Sequence, residues 1–76
     1  MKIKPTDYQI QAKIFEKAGC TYVRTKGDHL IYHYPGAIRP VVIPKYKEVP
    51  TFVIKNNMRI IGMSREKYFE ILNVVE

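Results

Sequence analysis

Residues 20–44, CTYVRTKGDHLIYHYPGAIRPVVIP, decide the fold. "CTYVRTK" alternates and is rich in β-branched and aromatic residues, which suit a half-buried strand. Gly27-Asp28 is a turn signal. "HLIYHY" then reads as a second strand. Pro35-Gly36 suits the centre of a type II turn, where proline presets the first φ and glycine accepts the positive second one. "RPVVIP" is a third strand, and Pro40 and Pro44 at its ends mark an edge strand or strand termini, because proline cannot donate to a ladder. Strict alternation places His29, Ile31 and His33 on one sheet face and Leu30, Tyr32 and Tyr34 on the other.

Outside this stretch the period becomes helical. Residues 1–5 read as a loose lead-in ending at Pro5. Thr6 or Asp7 caps a helix running to about Ala18, with Ile10, Ile14, Phe15 and Ala18 on one face and Gly19 as the stop. "KYKEVP" is a charged loop. "TFVIKNNMRII" reads as a helix with Phe52, Ile54, Met58 and Ile61 near one face, ended by Gly62. Ser64 caps a last helix, "REKYFEILNVV", with Tyr68, Phe69, Leu72 and Val75 inward. The order α-β-β-β-α-α defines an α+β domain with one three-stranded antiparallel sheet and helices on one face. The other face is left open.

The chain has 76 residues, so one domain spanning 1–76 is expected. A chain of this size buries only about 60% of its unfolded surface, so chemistry belongs on an open surface rather than in a deep cavity. Thirteen Lys and Arg against seven Asp and Glu give a net charge of +6, which makes polyanions the natural partner. One cysteine excludes an internal disulfide and fits a reducing compartment or a protein indifferent to redox state. No run approaches a membrane span and the start has no apolar leader region, so a soluble, cytoplasmic protein is expected.

Candidate chemistry narrows quickly. His29 and His33 lie roughly 13 Å apart along a strand, too far to share one zinc ion, so no metal is expected. Cys20 begins an apolar strand and reads as core. There is no glycine-rich phosphate loop. His29 remains, in a setting where Arg24, Lys26, Arg39, Lys45, Lys47, Lys55 and Arg59 can gather around it. Imidazole is a competent general base near neutrality, and RNA carries its own nucleophile in the 2′-hydroxyl. Lys and Arg would neutralise the phosphate. By spacing alone, His29 is either such a base or a hairpin histidine bonded to backbone. His33 reads as a surface or RNA-contacting residue. Tyr22, Tyr32 and Tyr34 are either core aromatics or platforms for stacked bases.

The segment "IFEKAGCTYVRTKGDHLIYHYPGAIRPVVIPKYKEVP", followed by a helix ending "IIGMS", resembles the HicA (YcfA-like) family of mRNA interferase toxins. The likeness runs over about residues 8 to 72. It lies in the order of features: a helix stopped at Gly19, a strand with Arg24, a Gly-x-His motif, a hairpin proline, "VVIP", and a helix closed by Gly62. The resemblance implies a double-stranded-RNA-binding-like fold and metal-independent cleavage of mRNA. It also implies inhibition by a HicB-type antitoxin that covers the active face, with oligomerisation through that antitoxin. His29 inherits the catalytic role, with no cofactor. The family motif usually has Ser where this chain has Asp28, whose carboxylate can either orient the imidazole or repel the phosphate. Phe52-Val53 replaces a usual Gly-Thr, and Asn57 a usual apolar residue.

The expected function is thus an mRNA interferase toxin of a type II toxin–antitoxin system. His29 is the general base, and Arg24, Lys26, Arg39, Lys45 and Lys55 contact RNA. The alternatives are a non-catalytic RNA-binding module of the same fold and a basic protein-interaction domain.

Overall fold

The computed structural model describes residues 2–76. Helix α1 (Tyr8–Lys17) leads into strands β1 (Thr21–Lys26), β2 (His29–His33) and β3 (Val41–Pro44), and helices α2 (Thr51–Ile61) and α3 (Arg65–Val75) follow. The sheet is antiparallel in the order β1-β2-β3. The α+β architecture is therefore the one read from residues 20–44.

Local chemistry accounts for the joints. Asp7 accepts a bond from the Gln9 amide at 2.7 Å and so caps α1. Gly27 has φ 60 and Asp28 has no positive φ, which is the II′ pattern of a two-residue hairpin; Lys26 then pairs with His29. Gly36 has φ 85 and the Ala37 amide donates to the Tyr34 carbonyl at 3.0 Å, closing the expected type II turn. Ser64 caps α3 through the Lys67 amide.

One sheet face is dry. Tyr32 is buried opposite fully buried Val41, and Leu30 pairs with fully buried Ile43. Ile14 and Phe15 of α1, Ile54 and Met58 of α2, and Tyr68 and Ile71 of α3 complete the core. The Tyr32 hydroxyl donates to Glu16 at 2.7 Å; burial first, and this carboxylate second, hold the phenol protonated well above its ordinary range. Gln11 is buried as well, its Nε2 donating to the Tyr68 hydroxyl at 2.8 Å and joining α1 to α3.

Three expectations need correction. Of the lead-in expected at residues 1–5, Met1 lies outside the described residues, and the rest is not loose. Ile3 is buried in the core and Thr6 bridges Val49, so the chain enters as a tied segment. Phe52 does not face inward but is 73% exposed. At about 100° per residue it sits roughly 200° from Ile54, across the helix from the Ile54–Asn57–Met58 side that is buried. On α3, Tyr68, Phe69, Leu72 and Val75 pack on the core as expected, and the correction is Ile71, which is buried but was not read as inward.

Candidate functional site

The second sheet face carries the site. Cross-strand partners share a face, so the pairs Lys26–His29, Arg24–Ile31 and His29–Pro44 place Arg24, Lys26 and His29 together on the face opposite Tyr32. A bulge makes this work. Counting by twos from Tyr22 would send Tyr22, Arg24 and Lys26 to one face. The register shifts between Tyr22 and Arg24, so Val23 is the extra residue. Tyr22 turns to the dry side, its ring edge-on to Tyr32 at 5.7 Å and its hydroxyl 2.7 Å from that of Thr25. Arg24 and Lys26 turn to the open side, both exposed.

His29 is exposed at the first position of β2 and lines a groove of about 700 Å³ between this face and α2. Val42 and Pro44 of β3, with Pro40 and Pro50, form part of the lining. Lys55 and Arg59 of α2 are its cations, and Tyr46 and Phe52 its aromatics. Arg39 lies in an adjoining groove that shares Asn56 and Arg59 with the first. Lys45 is exposed next to Pro44, and its amide donates to the Asp28 carbonyl at 2.7 Å, which ties the loop after β3 to the turn before His29.

The sequence-derived residues thus divide. His29 and Lys55 share the main groove. Arg24 and Lys26 lie on the same sheet face as His29, Lys45 flanks the turn, and Arg39 is one groove away. His33 is exposed at the far end of β2, paired with Thr21, and is not among the groove's lining residues. The two histidines are not brought together. Asp28 acts through its backbone; among the described residues its side chain makes no hydrogen bond to His29. Of the tyrosines considered for stacking, Tyr32 is buried and Tyr34 half-buried, as core aromatics are, while Tyr22 is exposed, its ring edge-on to Tyr32 and outside the groove. Tyr46 and Phe52 were not expected in the site, and Arg59, expected among the cations around His29, was not among the expected RNA contacts. For Arg59 the signal was present, since it lies four residues after Lys55 and so on the same side of α2.

Asn57 explains why α2 holds station there. It is buried at the edge of β3, where its Nδ2 donates to the Val42 carbonyl at 2.9 Å and its Oδ1 accepts from the Val42 amide at 3.4 Å. A side-chain amide has the donor and acceptor spacing of a peptide group, so Asn57 completes the edge strand as a neighbouring strand would. Cys20 is buried away from this chemistry, and burial pushes its thiol up to about 11. Among the described residues no three His, Cys, Asp or Glu side chains gather as a metal site would require. Among the described residues no helix is long and apolar enough to cross a membrane.

The hairpin turn thus delivers an exposed histidine onto a sheet face that also carries Arg24 and Lys26. Residues 11–63 match the family described as the HicA toxin of bacterial toxin–antitoxin systems. The match covers more than half of the chain, which therefore belongs to the HicA toxin family. No curated protein matches it at a significant level. Helix α3 lies beyond the matched residues.

Proposed function

We propose that this HicA-family chain is an mRNA interferase toxin, a metal-independent endoribonuclease in which His29 is the general base. The observation that carries the reading is the placement of His29. It is exposed, on the open sheet face, with Lys26 as its cross-strand neighbour and Lys55 and Arg59 lining the same groove. An imidazole nitrogen takes the proton of an RNA 2′-hydroxyl. The freed O2′ attacks the adjacent phosphorus, the P–O5′ bond breaks, and O5′ leaves with a proton from water at the open groove. The products are a 2′,3′-cyclic phosphate and a 5′-hydroxyl end. Charge on the phosphate is met by Arg24, Lys26, Arg39, Lys45 and Lys55.

The partner consistent with this reading is a HicB-type antitoxin seated over the open face, which would exclude mRNA and set the oligomeric state. The working compartment would be the cytoplasm. The test is incubation of the chain with mixed mRNA in EDTA, beside His29→Ala. Fragments from the parent alone are expected. Equal cleavage by His29→Ala would remove the assignment, and intact RNA with both would leave a binding module.

A further inference from the structure

We propose that Tyr46 and Phe52 form a base-stacking pair beside His29, which makes the bound substrate an unpaired RNA segment rather than a duplex. This rests on the ribonuclease reading of the groove. Two of the large exposed apolar side chains, Tyr46 at 48% and Phe52 at 73%, line the groove that holds His29. Tyr22, Val23, Ile38 and Val74 are also exposed but lie elsewhere. An exposed phenylalanine contributes nothing to the core, and its surface is left for something else to cover.

Both rings are mounted on held backbone. The Tyr46 amide donates to the Pro44 carbonyl at 2.8 Å, and the Tyr46 carbonyl accepts from the Tyr8 amide at 3.0 Å. With the Lys45–Asp28 bond, the loop is pinned to the His29 turn on one side and to α1 on the other. Phe52 stands in the first turn of α2, which Asn57 fixes to β3. Rigid aromatic faces give up little entropy on binding.

The groove joins two chemistries that a nucleotide also joins. Val42, Pro40 and Pro44 give it an apolar lining, and Lys55 and Arg59 give it cations. Every base has a π face, so an aromatic side chain stacks on it with little regard to sequence. In a duplex those faces are taken by neighbouring bases. A net charge of +6 suits any polyanion, and two exposed rings set among cations match one that carries flat bases between its charges.

The probe is a labelled oligoribonucleotide of about twelve residues, unpaired or annealed to its complement, bound to the His29→Ala chain so that it stays intact. Phe52→Ala and Tyr46→Ala, each in that background, are expected to weaken unpaired binding about tenfold while leaving the salt slope unchanged. Duplex binding should move less than about twofold, and Phe52→Trp should restore affinity. Circular dichroism confirms folding, as expected for exposed positions. Unchanged unpaired affinity in both alanine variants overturns the stacking pair and leaves the ribonuclease reading standing. An equal loss for duplex and unpaired RNA also overturns it. No RNA binding by the His29→Ala chain, with tight binding of an acidic protein instead, overturns both.

Discussion

On the proposed reading His29 has a small task, because the nucleophile belongs to the substrate. A positioned general base is worth about 10²–10⁴-fold. His29→Ala should therefore lower cleavage by about that factor while RNA affinity in a filter-binding assay stays within about twofold. Cys20 makes an opposite kind of prediction. Burial raises its thiol from 9.0 to about 11, so the unfolded chain ionises first. Its share of stability is complete below pH 9.0 and is lost as pH rises toward 11, and urea midpoints should fall across that window. A thiol reagent at pH 8 should modify the native chain far more slowly than the urea-unfolded one, and equal rates would contradict the burial. His29 was legible because Gly27-Asp28 and an alternating run announce a turn delivering a histidine. Tyr46 and Phe52 were not. Tyr46 lies in a loop without period, and Phe52 belongs to a helix whose apolar residues occur on both sides.

Among the elements, α2 and β3 depend on each other through Asn57. Asn57→Ala leaves the Val42 amide and carbonyl unpaired at the edge, and a cost of about 1–3 kcal/mol is expected from urea unfolding. Asn57→Asp keeps an acceptor for the amide but sets a carboxylate against the Val42 carbonyl. It should be weaker than the parent above the carboxylate pKa and recover on acidification. Ser64→Ala removes the α3 cap and should cost about 1 kcal/mol. The elements themselves were legible because glycine and proline punctuate them: Gly27 and Gly36 sit in turns whose φ is positive. Asn57 stood out in the sequence only as a polar residue amid apolar ones. Its function is to serve another element's backbone, and local pattern does not show that. The bulge at Val23 was equally hidden, since alternation alone has no mark for an extra residue.

For the whole molecule, the matched residues 11–63 do not contain the whole core. Tyr68 and Ile71 of α3, and Ile3 and Val49 around the Thr6 bridge, all lie in it. Of these, Val49 alone falls within the match. A chain ending after Met63 should lose Tyr68 and Ile71 and strand the Gln11 amide, and its thermal transition by circular dichroism should no longer be cooperative. Full cooperativity would show that α3 is dispensable. The charge of +6 acts over the same scale. RNA affinity should fall linearly on a log–log plot against salt, and Lys55→Ala should reduce the slope by about 0.7 if Lys55 meets one phosphate of a single strand. The charge was plain in the sequence; the way a bulge and a hairpin aim it at one face was not.

The outer rim of β3 has a consequence for assembly. Its outward-facing positions are Pro40, Val42 and Pro44. The prolines have no amide hydrogen, the Pro44 carbonyl is taken by the Tyr46 amide, and Val42 is answered by Asn57. That rim offers no docking rail to another backbone. β1 stands at the opposite margin, exposed along its length. Any polypeptide that extends this sheet by β-augmentation, a second copy included, must zip onto β1, beside Arg24 and Lys26. Amide exchange would record the asymmetry as a protected Val42 on a nominal border strand, facing an unprotected row across the molecule.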